Sequence, residues 1–272
     1  MRHGADRMVD AVSGAALLGF VVVFVVFLLA PILVVVAVAF SSLGYVAFPI
    51  PSLSLRWFVR VLTYEPFLDG LRVSAELAFA STALAALIGV PAALAIGRSS
   101  RPWAQGMAAF LLSPVSMPLI VLGYSLLFYL SVLGLGASFA SLLIAHTVIG
   151  VPYLVRTVTG IYRSIPPDYE EASAILGAGR LASLFLVTLP LIGPGIFAGC
   201  LFAFLISFDN LPISYFFGSA DASTLPVVML SYMQSQFDPA IAAISTVQMV
   251  LAMIVLLVVE RFYGLRRIGA PA

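Results

Sequence analysis

Apolar residues in this chain come in long runs, and the polar residues collect in the gaps between them. A membrane-crossing helix needs about 20 apolar residues, because a rise of about 1.5 Å per residue must cover about 30 Å of hydrocarbon. Six stretches meet that requirement: residues 14–40, 70–97, 104–131, 138–160, 190–217 and 238–262. The third and fourth are separated by the short apolar link Leu133-Gly134-Leu135-Gly136, and Pro114, Pro118 and Pro152 fall within them. Prolines are tolerated in membrane helices where neighbours re-satisfy the freed carbonyls, so the expectation is kinked helices, not broken ones. The pattern predicts an all-α membrane protein of about six transmembrane helices.

The gaps differ in charge. Arg2, Arg7, Arg98, Arg101, Arg156, Arg163, Arg180, Arg261, Arg266 and Arg267 fall on one side of this topology, and Arg56, Arg60 and Arg72 on the other. The positive-inside rule then predicts that both termini, the 98–103 turn and the 161–189 loop are cytoplasmic. The opposite side carries two larger connections. Ser41 to Pro66, with Pro49, Pro51, Trp57 and Tyr64, suits a segment lying at the interface, and Gly218 to Asp238 contains no basic residue. The apolar run from about Ala11 to Phe40 far exceeds the roughly 7 to 15 residues of a signal h-region, so it reads as an uncleaved first span.

Composition agrees with a bilayer setting. The 272 residues are 62% hydrophobic and 9% charged, more apolar surface than one soluble core hides. A net charge of +1 with no basic run argues against nucleic acid as a partner. The single cysteine, Cys200, supports neither a disulfide framework nor a cysteine metal site, and His146 stands apart from other ligand types. Lysine is absent, so a GxxxxGK[ST] phosphate loop is excluded, and no GxSxG nucleophile elbow occurs. Neither a cofactor nor a catalytic constellation is expected. The alternative, a stand-alone secondary carrier or an intramembrane enzyme, would be expected to show inverted repeats with midplane charge or a catalytic group.

One gap carries more structure than the others. After Pro166-Pro167 come Asp168, Glu170 and Glu171, a helix-start pattern that suits free amides and a positive dipole end. Gly177 and Gly179 end that short helix, and Arg180 to Leu189 reads as a second short helix leading into the next span. Two short helices at a membrane face are shaped to dock on something else, and the same composition also fits an ordinary surface loop tied down by its own helix.

Within this gap, Glu171-Ala172-Ser173, then Gly177, then Val187 and Leu189-Pro190 keep the spacing of the EAA signature of ABC importer permeases, with Ser173 for Ala and Val187 for Ile. Gly70-Leu71-Arg72-Val73-Ser74, Gly89-Val90-Pro91-Ala92-Ala93 and Ala95-Ile96-Gly97-Arg98 resemble the opening of the core in that superfamily. Ser207-Phe208-Asp209-Asn210, Leu225-Pro226 and Asp238-Pro239-Ala240-Ile241-Ala242-Ala243 are similar to its spermidine/putrescine-type branch. The resemblance implies a type I ABC importer permease fold, one transmembrane permease domain over 1–272 with its core at about 66–262 and a coupling loop at 161–189. It also implies the setting: an inner (plasma) membrane, a cytosolic ABC ATPase dimer, a second permease subunit, homologous or identical, and an extracytoplasmic solute-binding protein. ATP hydrolysis would reside on the ATPase, and the solute would be small and polar, a polyamine or related amine compound.

Site expectations follow in two groups. Glu170, Glu171, Ala172, Ser173, Gly177, Leu189 and Pro190 are the ATPase-coupling candidates, with Glu171 as polar anchor, Ala172 and Ser173 allowing close approach and Gly177 making the turn. Asp209, Asn210, Ser207 and Glu76 are the solute-pathway candidates, since ionisable groups in or near spans are functional candidates by default. Glu76 follows Arg72 by four residues, so an ion pair between them is the favoured reading. Asp209 lies about 28 Å along a helix from Pro190, where it would either meet a cationic solute or accept local hydrogen bonds near Pro212; its neighbours Ser207 and Asn210 favour the first. Tyr124, Tyr129, Tyr153, Tyr215 and Tyr232 read as packing or interface anchors.

Overall fold

The computed structural model describes residues 2–218 and 223–263. It is helical throughout, with one isolated bridge between Ser41 and Leu53 and no strand among the described residues. Arg266, Arg267 and positions 219–222 of the expected outer connection lie outside the described residues.

Two compact units are present. The first comprises the chain up to Tyr64 together with Met233–Leu251. It holds α1 (Arg2–Ala39) and α2 (Arg56–Thr63). The Leu17–Ala39 part of α1 is apolar all round and almost wholly exposed, so its surroundings must be lipid or another protein. Between α1 and α2 the chain folds back on itself: the Arg56 guanidinium donates to the Ser42 carbonyl at 3.0 Å and lies over the Trp57 ring, whose Nε1–H donates to the Leu43 carbonyl at 3.2 Å. Residues 42–57 thus carry an arginine-aromatic surface.

The second unit, Glu65–Tyr232 with the residues from Ala252, is built around three long helices. Its elements in chain order are α3 (Glu65–Gly97), α4 (Pro102–Leu112), α5 (Leu119–Val132), α6 (Phe139–Ser164), α7 (Asp168–Ile175), α8 (Arg180–Ser183), α9 (Leu189–Phe208), α10 (Leu211–Phe217) and α11 (Leu225–Ser235). A twelfth helix, α12 (Ala240–Tyr263), closes the described chain. α3, α6 and α9 pack on one another, and α6 is the most enclosed. Small residues let the backbones approach: Gly89 lies against Leu154, and Gly199 against Thr157 and Leu154. Buried Ala85, Leu154 and Ala203 fill one level of this core, and Ala93, Val158 and Ile192 the next.

Among the described residues five helices are long and apolar enough to cross a membrane, and a bent pair would make a sixth. Three of the expected elements differ in detail. The 104–131 stretch is not one kinked helix: it breaks into Pro102–Ser116 and Leu119–Val132, bent by 109°. Pro118 excludes its predecessor from the helical region, and Met117 is accordingly extended, with φ −94° and ψ 141°. Pro152, by contrast, sits inside an uninterrupted α6. The 190–217 stretch ends as a helix at Phe208, because Pro212 lacks the N–H that would bond the Phe208 carbonyl. Asn210 instead caps α10, its Oδ1 accepting from the Ile213 amide at 3.0 Å. The connection after Gly218 contains the eleven-residue α11, so it is not a plain loop.

Candidate coupling segment

Residues 165–190 leave α6 and return to the core. Pro166 and Pro167 stop α6, and α7 starts at Asp168 with three carboxylates in its first turn. Its end is a Schellman turn: the Ala178 amide bonds the Ser173 carbonyl and the Gly177 amide bonds the Ala174 carbonyl, both at 3.0 Å. Gly177 has φ +85°, a left-handed conformation that only glycine adopts without penalty, so the spacing argument for this residue is met by its geometry.

The expected second short helix is absent as a separate element. α8, a π turn (Leu184–Thr188) and α9 run on as one helix from Arg180 to Phe208. The π turn answers to Pro190, whose ring would clash with the Leu186 carbonyl of a regular helix. Widening the turn gives the Leu189 amide the Leu184 carbonyl instead. Val187, Leu189 and Pro190 therefore shape the start of a span.

The two adjacent carboxylates point to different surroundings. Glu171 is exposed, as is Ala172. Glu170 is half-buried and takes three donors: the Arg98 guanidinium at 2.6 Å, the Thr188 hydroxyl at 2.8 Å and the Tyr162 hydroxyl at 3.3 Å. Arg98 also donates to the Ile165 carbonyl at 2.9 Å and lies 4.2 Å over the Tyr162 ring. Beside it, Arg163 donates to the Gly97 carbonyl at 2.7 Å, a cation on the last turn of α3. Ser173 is buried, its hydroxyl engaged with the Glu170 carbonyl and with Ser183, both at 2.8 Å. The meeting of Arg98, Tyr162 and Thr188 with Glu170 had no signal in the sequence, because it depends on the packing of α3, α6 and α9.

Beyond this cluster the segment presents apolar side chains. Ile175 and Leu176 are 86% and 88% exposed, and Tyr169, Leu181, Phe185 and Leu186 are exposed too. A cavity of about 320 Å³ lies between α7 and the 180–188 turn, with Glu170, Arg180, Ser183 and Thr188 on its wall.

The pathway candidates are spread out. Glu76 is exposed and paired with Arg72 at 2.7 Å, the i,i+4 contact expected, on the wall of a cavity of about 650 Å³ that Asp69 also lines. Asp209 is exposed just past the end of α9. Ser207 is buried, bonded to Ser81 at 3.0 Å and to His146 Nδ1 at 2.8 Å, and His146 Nε2 reaches Ser214 at 3.1 Å. Asn210 is buried and occupied as a cap. His146 is thus the centre of a hydroxyl network. Among the described residues no three of His, Cys, Asp or Glu come together as metal ligands.

Residues 85–265 match the family described as binding-protein-dependent transport system inner membrane component. The chain belongs to that family. It is 32% identical over 237 residues to the molybdenum transport system permease protein ModB of Mycobacterium tuberculosis, covering 80% of this chain and 90% of the relative. It is 30% identical over 237 residues to the putrescine transport system permease protein PotI of Escherichia coli, covering 85% and 82%. In fold it is similar to a bacterial ABC transporter involved in the import of the acidic polysaccharide alginate, with a TM-score of 0.69 at 18% identity over 94% of this chain and 96% of that one. The MetNI methionine ABC transporter gives a TM-score of 0.62 at 18% identity over 72% and 94%. The chain is a multi-pass inner-membrane permease subunit of an ABC importer, with the type I permease fold.

Proposed function

We propose that the 165–190 segment docks a cytosolic ABC ATPase dimer and passes its closure to the spans of this permease. The second permease subunit, homologous or identical, completes the pathway, and a solute-binding protein delivers solute on the other side. In this reading the Arg98 end of the bundle is cytoplasmic, as the arginine distribution indicates, and ATP hydrolysis belongs to the partner. One observation carries the reading: Ile175 and Leu176, nearly bare to solvent, lead into the turn fixed by Gly177, with Leu181, Phe185 and Leu186 also exposed beyond it. Exposed apolar side chains so grouped mark a surface that another protein covers. Glu171 and Ala172 lie next to it and contact the ATPase directly, Ser173 holds α7 to the 180–188 turn, and Leu189-Pro190 pass the motion to α9. Leu176→Asp should strip the ATPase from the detergent-purified complex while the permease still inserts. Retention of a full complement of ATPase by that variant would sink the docking assignment.

The solute we assign is a small amine-bearing compound. PotI is named for putrescine, and the cavity at the Glu76 end carries two carboxylates against one guanidinium. Of the four pathway candidates, Glu76 and Asp209 meet the solute, while Ser207 and Asn210 shape the end of α9 behind Asp209. One observation favours a second reading, an anionic solute. Arg156 lines a groove of about 520 Å³ with Tyr153, Pro194 and Phe202 and has no ion pair among the described residues, and ModB is named for molybdenum. Uptake of labelled putrescine against labelled molybdate separates the two.

A further inference from the structure

The docking reading leaves open how so small a helix moves a membrane bundle. α7 has eight residues, too short to be stable by itself, and Ser173 is its one buried side chain. Apolar burial therefore does little to fix it. Polar contacts through a single carboxylate do: the donors to Glu170 come from the end of α3 (Arg98), from α6 (Tyr162) and from the π turn that opens α9 (Thr188). Those are the three helices of the core.

We propose that Arg98, Tyr162, Glu170 and Thr188 form a clasp that makes α7 rigid with α3, α6 and α9, so that displacement of α7 by a docked partner becomes displacement of all three spans. These are positioning residues, and the inference rests on the docking reading above. The Arg98 fork is suited to the task. One nitrogen holds the carboxylate, another the Ile165 carbonyl just before Pro166, and its plane stacks on Tyr162. The pair is shielded, with 25% and 30% of the two side chains exposed, which keeps it stronger than an open surface ion pair. Without the clasp α7 would be tied to the bundle only by the Ser173–Ser183 hydrogen bond and by its two connections, Ile165-Pro166-Pro167 and Leu176–Gly179, and a push on it would be absorbed there. Glu171, one residue on, faces away, so the adjacent acids divide the work: one holds α7 to the permease and the other meets the partner.

The test has two arms. In the purified permease alone, hydrogen exchange of the α7 amides should be at least tenfold faster in Glu170→Arg and in Arg98→Glu than in wild type, and should return to within threefold in the double charge swap. In the complex reconstituted in liposomes with its ATPase and binding protein, each single variant should keep the ATPase. Solute uptake should fall at least tenfold while ATP hydrolysis continues, and the swap should recover most of the uptake. Thr188→Val and Tyr162→Phe each remove one donor and should give twofold to fivefold losses of uptake, which keeps the clasp testable if a charge variant fails to assemble. Unchanged exchange, or uptake within twofold of wild type in Glu170→Arg or Thr188→Val, overturns the clasp, as does a swap no better than either single. The expected exchange changes in the variants, together with a wild-type permease that retains no ATPase in the reconstituted complex, would overturn the docking reading and leave the clasp standing.

Discussion

His146→Leu tests whether the core is held by polar contacts as well as by packing. His146 is fully buried on α6, and its two ring nitrogens engage Ser207 of α9 and Ser214 of α10, with Ser81 of α3 donating on to Ser207. Leucine fills a similar volume, so the change removes two hydrogen bonds with little cavity cost. Each lost bond is worth about 0.5–1.5 kcal/mol, and a hydroxyl left unpaired in an apolar site costs about 1–3 kcal/mol. Ser207 keeps Ser81, and Ser214 can turn to a carbonyl in its own helix, so the lower part of each range applies. Polar contacts between membrane helices average about 0.6 kcal/mol, which lowers the sum further. The net expectation is a loss of about 1–2 kcal/mol, read as a shift of the SDS-unfolding midpoint in mixed micelles followed by circular dichroism. Adding Ser214→Ala to His146→Leu should cost nothing more, because the stranded hydroxyl goes with it. A single variant within about 0.5 kcal/mol of wild type, a typical neutral change, together with no coupling in the double-mutant cycle, would refute the network's role.

Other outcomes follow from single contacts. A Cβ on Gly199 would sit 2.5 Å from the Thr157 hydroxyl and 3.0 Å from the Leu154 Cα, so Gly199→Ala must part α6 from α9. It should destabilise by about 1–3 kcal/mol in the same unfolding assay. Asn210→Ala removes the α10 cap and should cost about 0.5–2 kcal/mol without loss of insertion. Gly177→Ala places a side chain at φ +85° and should cost roughly 1–2 kcal/mol locally, seen as faster amide exchange at 173–178 and weaker ATPase retention. Asp209→Asn should lower uptake of a cationic solute at unchanged expression, and unaltered uptake kinetics would remove Asp209 from the pathway.

The run lengths of apolar residues sufficed to find the long helices, because a bilayer demands about 20 such residues whatever they pack against. The start and end of α7 were legible for a different reason: its glycine, acids and prolines each answer to a local backbone need, and local needs show as spacing. What failed were features decided by distant partners. The sequence cannot show which of Glu170 and Glu171 faces inward, since Arg98 lies 72 residues away in the chain. Nor can it show that His146 bonds Ser207 and Ser214, which lie 61 and 68 residues on. Pro118 and Pro152 are the same residue in two settings, a 109° bend in one and an unbroken helix in the other. The enclosing α3 and α9 distinguish them: α6 is gripped on both sides through Leu154 and its neighbours, whereas most side chains around Met117 are exposed.

The most direct measurement of the central claim is coupled transport in liposomes holding the complete importer, wild type against Leu176→Asp. Wild type should accumulate solute in step with ATP hydrolysis. The variant should lose uptake and the bound ATPase together, with the permease still folded in the membrane by circular dichroism. Full uptake by Leu176→Asp would contradict the assignment of the 165–190 segment as the point where the ATPase drives this permease.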